Sequence, residues 1–102
     1  MDYKNTMEFK TTDEMEAIFT EGNKPLSDMI VDTALENLDT TQKVIPVVSI
    51  TTMDTELVYD IMIDRIDMVE TLEQNLEVME DYEDYERCQK ITDAVYYLKS
   101  KK

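Results

Sequence analysis

The hydrophobic positions of this chain change period several times, and each change marks an expected element. Residues 1–10, MDYKNTMEFK, hold no sustained period and read as either a flexible arm or a short strand. Thr11 and Glu14 then stand at capping-box spacing, ahead of a short helix with Met15, Ile18 and Phe19 on one side. Gly22, the only glycine, falls where a helix C-terminus accepts a left-handed residue. A second helix is expected from Asn23–Pro25, because a proline in the first turn sacrifices no intrahelical bond. Leu26, Met29, Ile30, Ala34, Leu35 and Leu38 follow three-four spacing and give it an apolar face up to about Asp39. Asp28, Asp32, Glu36 and Asp39 fall on the other side.

Val44–Ile50 is apolar and β-branched, which predicts extended backbone. Pro46 lacks a ladder donor, so the segment is expected as an edge strand or a packed extended linker. A partner strand would come from residues 3–10 or from a second copy of the chain. Tyr59–Ile63 also alternates as a strand does, but a longer helical pattern runs through it. Thr52 or Asp54 is placed to cap a helix reaching about Asp81. Val58, Met62, Arg65, Val69, Leu72, Leu76 and Met79 alternate four-three spacing, a heptad seam with one polar interruption at Arg65. Ile61, Ile66 and Met68 widen that stripe. Arg65 would either lie in the seam, fixing register or pairing with a buried acid, or lay its stem on apolar surface with its head toward Asp64, Glu70 or solvent.

Asp81–Asp84 reads as a turn, and Asp84 as the cap of a last helix from Tyr85 to about Lys99. Tyr85, Cys88, Ile91, Val95 and Leu98 form its apolar line. Acids at its start and lysines at its end suit the helix dipole. The expected fold is therefore mainly α. It has two short N-terminal helices, an extended segment at about 44–50, and a long antiparallel hairpin over 54–100, all in one domain of 102 residues.

Composition narrows the chemistry. The chain has no His, no Trp, one Gly and one Cys. That removes the commonest acid/base group and metal ligand, any glycine-lined phosphate cradle, and any internal disulfide. Cys88 lies on the expected packed face, with no histidine to activate it. Glu80–Asp84 lacks the glycine and alternating oxygen spacing of a calcium loop. No enzyme activity, cofactor or metal is expected. No apolar run approaches the ~20 residues of a membrane span. With no leader pattern either, a cytoplasmic protein is expected (host cytoplasm if viral).

The formal net charge is -14, and most of it sits on one segment. Asp54–Glu86 holds thirteen acids and one base, Arg65, whereas residues 87–102 are mostly basic. Such a balance disfavours direct contact with nucleic acid or anionic membrane and favours a basic protein partner. On a continuous helix, Glu56, Asp60, Asp64, Asp67, Glu70, Glu73, Glu77 and Glu80 would form one band opposite the seam. They would recur about every 5 Å at ~1.5 Å rise per residue, against ~3.4 Å per phosphate along a DNA strand. The bland reading is a solvated face, yet a merely soluble helix usually mixes signs.

The stretch Asp84-Tyr85-Glu86-Arg87-Cys88-Gln89-Lys90-Ile91-Thr92-Asp93-Ala94-Val95-Tyr96-Tyr97-Leu98 resembles the UVR motif of nucleotide-excision-repair proteins and some Clp-associated regulators. Tyr85, Glu86, Asp93 and Leu98 match the pattern. Cys88, Ile91 and Val95 are conservative, while Thr92 and Gln89 stand where the family has Arg and Ala. The resemblance, over about residues 75–98, implies a non-catalytic helix-pair docking module that binds other hairpins.

Three functional expectations follow. The first is a non-enzymatic inhibitor or modulator docking its acidic band on a basic surface of a nucleic-acid-handling protein, as a DNA mimic would. Small, acidic, glycine-poor chains of this kind resemble phage products that disarm host machinery, an analogy of class only. The second is a structural, adaptor or assembly module. It would pair hairpins through Val58, Met62, Val69, Leu72, Leu76, Met79, Tyr85, Ile91, Val95 and Leu98. The third is a ligand sponge at a subunit interface. A homodimer or higher oligomer is expected, because so small a domain buries little surface alone.

Overall fold

The computed structural model describes residues 5–21 and 24–101. The elements run β1 (Asn5–Phe9), α1 (Thr12–Glu21), α2 (Lys24–Glu36), β2 (Val44–Thr52), β3 (Val58–Asp64), a single 3-10 turn at Arg65–Asp67, α3 (Met68–Asp81) and α4 (Tyr85–Ser100). The fold is thus mixed α/β rather than mainly α. Among the described residues four helices pack with a three-stranded sheet ordered β1-β2-β3, in which β1 runs parallel and β3 antiparallel to β2. Of the stretch expected as a flexible arm or a short strand, Asn5–Phe9 is strand β1, and residues 1–4 lie outside the described residues.

The largest correction concerns residues 54–67. The expected helix from Asp54 to Asp81 is a turn, a strand and a 3-10 turn before it becomes α3. Tyr59, Ile61 and Ile63 lie on the same sheet face as buried Ile50, Val48 and Ile45. Ile63 is buried, Ile61 half-buried and Tyr59 still exposed near the start of the strand, while Val58, Asp60, Met62 and Asp64 turn outward and are exposed. This is a period of two. Val58 and Met62 are apolar residues on the outward face, and their four-residue spacing extended the true helical stripe of α3 backward by coincidence. The hairpin α3–α4 exists, but its first arm is 14 residues, about 21 Å.

Pro46 lies in the central strand, not at an edge. Two bonds explain its tolerance. Arg65 donates to the Lys43 carbonyl at 2.8 Å and Thr52 to the Leu57 carbonyl at 3.2 Å. Opposed residues in an antiparallel pair alternate between bonded and non-bonded. Pro46, opposite Met62, therefore falls at a non-bonded position, and β1 begins only opposite Val48. Its missing N–H leaves no ladder bond unmade. A bulge follows at once, with Val47 as the extra residue. Asn5 Nδ2 donates to the Val47 carbonyl at 3.3 Å, and Val47 and Val48 are both buried.

The core lies between the inner sheet face and the helices. It comprises Met15, Leu26, Val31, Ala34, Ile45, Val47, Val48, Ile50, Ile63, Met68, Leu72, Met79, Ile91 and Ala94. Burying a side chain such as Leu72 or Ile91 contributes about 1.5–3 kcal/mol each. Thr11 caps α1, accepting from Glu14 N at 3.2 Å, while the Glu14 carboxylate accepts from Lys10 N at 3.3 Å. The expected roles of Gly22 and Asn23, and the packing of the Phe19 side chain, lie outside the described residues.

Arg65 does neither of the things expected of it. Its guanidinium donates to the carbonyls of Asn37 (2.7 Å), Leu38 (3.4 Å) and Gln42 (2.9 Å) and to the Thr40 hydroxyl. It thereby closes the end of α2 and clamps the loop into β2, a cation on helix C-terminal carbonyls. α2 stops at Glu36 rather than Asp39.

Candidate protein-docking surface

The carboxylates of the expected single band sit on different elements. Glu56 is in the β2–β3 turn with left-handed backbone, φ 55°. Asp60 and Asp64 project from the outer face of β3, and Asp60 accepts from the Ser49 hydroxyl at 2.9 Å. Asp67 closes the 3-10 turn. Glu70, Glu73, Glu77 and Glu80 line the exposed side of α3, opposite buried Met68, Leu72 and Met79. Only this last group keeps the three-four spacing of a helical row. A phosphate-like row of charges therefore spans about 15 Å, from Glu70 to Glu80, rather than the whole of 54–81.

Packing residues divide in the same way. Leu72, Met79 and Ile91 are buried, and Leu76, Val95 and Leu98 pack against them partly covered. Val69 is half-buried. Val58 (61% exposed), Met62 (42%) and Tyr85 (65%) are not packing residues. The first two face outward from a strand, and Tyr85 starts α4 on its open side. Ile66, expected to widen the apolar stripe, is 91% exposed. Val58, Met62 and Ile66, with Met53 and Leu57, also exposed, make an apolar margin along β3 and its flanks that alternates with acids. Sequence reasoning missed that margin because it assigned Val58, Met62 and Ile66 to a buried seam.

The cations that form ion pairs are concentrated elsewhere. Arg87 forks onto Asp32, reaches Asp84 at 2.9 Å and stands 3.6 Å from Asp28. Lys24 bridges Asp28 and Asp84 at 3.0 Å each. The two bases hold the Asp84 carboxyl far below the usual carboxylate range, the Arg87 hydrogen bond contributing most. Lys101 pairs with Asp39 at 3.0 Å and stands over the Tyr97 ring, while the Tyr97 hydroxyl donates to Asp39. Lys90 pairs with Glu86 and Lys99 with Glu73. By contrast Glu56, Asp60, Asp64, Asp67, Glu70, Glu77 and Glu80 have no ion pair with any described residue.

Asp54, expected as a possible cap of the long helix, instead accepts from Thr12 N and the Thr12 hydroxyl, both at 3.0 Å. It pins the β2–β3 turn to the start of α1, and the Thr12 N–H lowers its pKa. Cys88 is half-buried, and burial pushes its thiol pKa up.

A cleft of about 480 Å³ lies between α2 and the bulged end of β2, lined mainly by polar groups including Asn5, Asp32, Thr33, Asn37 and Gln42. Among the described residues no group of three or more His, Cys, Asp or Glu is arranged to hold a metal ion. No described helix is long and apolar enough to cross a membrane. Comparison with protein-family models, curated proteins and solved structures finds no match for this chain.

Proposed function

We propose that the chain is a non-enzymatic binding module that docks on a basic surface of another protein, of the kind found on proteins that handle nucleic acid, and so inhibits or modulates it. The observation that supports this most is the segregation of charge. Five of the described bases, Lys24, Arg87, Lys90, Lys99 and Lys101, pair with acids of α2, the α2–β2 loop, α4 and the hairpin turn, and with Glu73. Arg65, between β3 and α3, donates its guanidinium hydrogen bonds to the loop after α2. Most acids of β3 and α3 are left without a cation. Like charges at three-four spacing cost a helix about 0.2–0.5 kcal/mol per pair. A cationic partner would remove that penalty and add salt-dependent attraction.

The test is affinity capture from a cell lysate at low and high salt, with the wild type beside a variant that reverses the acids of both elements, Asp60→Lys, Asp64→Lys, Glu70→Lys, Glu73→Lys and Glu77→Lys. The reading expects a basic protein retained at low salt, released by high salt and lost with the variant. Capture unchanged by the variant contradicts it.

A second reading keeps the chain as an adaptor that pairs helical hairpins. The exposure of Tyr82, Tyr85 and Tyr96 on the hairpin favours it, since aromatic residues are frequent contact anchors. Leu72, Met79 and Ile91 are used up within the fold, so such pairing would employ the outer faces. Tyr85→Ser with Tyr96→Ser would then abolish capture, and the charge reversal would not.

A further inference from the structure

We infer that β3 is the site where the partner binds, and that the partner adds an extended, basic segment to its free edge; this rests on the docking reading above and gives it a mode. Among the described residues β3 is bonded to β2 alone. The bonds at Arg65 and Leu57 fix the alternation along it. Residues 59, 61 and 63 turn their N–H and C=O groups toward β2, so Val58, Asp60, Met62 and Asp64 turn theirs to the open edge. Natural edges are usually blunted by charged side chains, Lys above all, or by Pro, a bulge or extreme shortness. Of these β3 has only the carboxylates of Asp60 and Asp64, which repel a like edge and admit a basic one. β3 is seven residues long, contains no Pro, Lys or Gly, and its bulge lies on the other strand.

The same four residues carry their side chains on the uncovered sheet face. They read apolar, acid, apolar, acid along the strand: Val58, Asp60, Met62, Asp64. Cross-strand neighbours interact when directly opposed, and opposite charges stabilise the pair. The complementary strand therefore bears, on one face, basic and apolar residues in alternation. Main-chain bonds supply affinity and the alternate side chains supply selectivity, as in other strand-addition complexes. A second copy of β3 does not fit. Centred on Ile61, an antiparallel pair would bring Asp60 and Asp64 of both copies within about 7–8 Å diagonally, with no cation among them.

The test uses the full chain, isotopically labelled for NMR, and a capped peptide Thr-Lys-Thr-Val-Thr-Lys-Thr-Val-Thr, which places Lys opposite Asp60 and Asp64 in antiparallel register. The expected result is slowed exchange of the amides of 58, 60, 62 and 64, with shifts confined to β3 and its flanks. Met62→Pro, which removes an outward N–H and no bond to β2, should weaken binding at least tenfold. Asp60→Lys with Asp64→Lys should lose the Lys peptide at least tenfold and gain the matching Glu peptide, which guards against a folding defect in the proline variant. Shifts that fall on α3 and vanish with the Glu70, Glu73 and Glu77 reversal would overturn strand addition while leaving acidic docking intact. No binding at millimolar peptide would also overturn it, and lysate capture would still judge the docking reading separately.

Discussion

Arg87 grips Asp32 through two parallel hydrogen bonds, Nε to Oδ1 at 3.0 Å and Nη2 to Oδ2 at 2.8 Å, and so ties α4 to α2 across 55 residues of sequence. The same guanidinium reaches Asp84 at 2.9 Å. A planar fork makes this arrangement possible, and a lysine cannot reproduce it. Arg87→Lys should lower stability by about 0.5–1 kcal/mol. Arg87→Ala should cost more, because Asp28, Asp32 and Asp84 then face one another with only Lys24 between them. Urea denaturation of the three proteins measures both steps.

Acid should loosen the same junction. Asp84 has a folded pKa depressed by Arg87 and Lys24 relative to the unfolded chain. Its contribution is present in full above the unfolded value of about 3.9 and is lost as pH falls from there through the folded value. Asp39 and Asp54 are shifted the same way, chiefly by the Tyr97 hydroxyl and the Thr12 N–H. Stability should be level near neutrality and fall below about pH 4. Asp84→Asn should start lower and show a shallower acid slope. A wild-type slope shared by the variant would remove Asp84 from the explanation.

The hairpin turn carries a removable strain. α3 ends in a Schellman motif, with Asp84 N bonded to the Met79 carbonyl at 2.8 Å and Glu83 N to the Glu80 carbonyl at 3.0 Å. Glu83 occupies its left-handed position, φ 57°, which costs a non-glycine residue about 1 kcal/mol. Glu83→Gly should raise stability by about 0.5–1 kcal/mol. Thermal unfolding of the pair checks it, and a lower midpoint for the variant would contradict the assignment.

Strand and seam agree on Leu72 and differ on Val58. Leu72→Ala should cost about 2–5 kcal/mol, because Leu72 is fully buried. Val58→Asp should change stability by no more than about 0.5 kcal/mol, since Val58 faces water from β3. A heptad seam running from Val58 to Met79 would make both substitutions severe.

The helices were readable in the sequence for definite reasons. α2 announced itself through Leu26, Met29, Ile30, Ala34 and Leu35, although buried Val31 belongs to the same face. Asp84 was recognisable as a cap, and it accepts from Arg87 N at 3.2 Å. The sheet was hidden by particular residues. Pro46 argued against a central strand, and only the non-bonded register shows why it is harmless. The β2–β3 connection has no Asn-Gly or Gly signal; Glu56 adopts the left-handed conformation that glycine would have advertised. Val58 and Met62 mimicked a helical stripe because an open edge tolerates apolar residues that a solvated helix face would not. The candidate acids were found by charge alone. Their division between β3 and α3 follows from tertiary pairing, which local patterns do not encode.

Amide hydrogen exchange over residues 58–64 tests this account most directly. An edge strand bonded to β2 on one side only should protect the amides of Tyr59, Ile61 and Ile63 and leave those of Val58, Asp60, Met62 and Asp64 fast. Uniform protection of all seven, as in a helix or a strand paired on both sides, would contradict both the fold of this segment and the docking edge built on it.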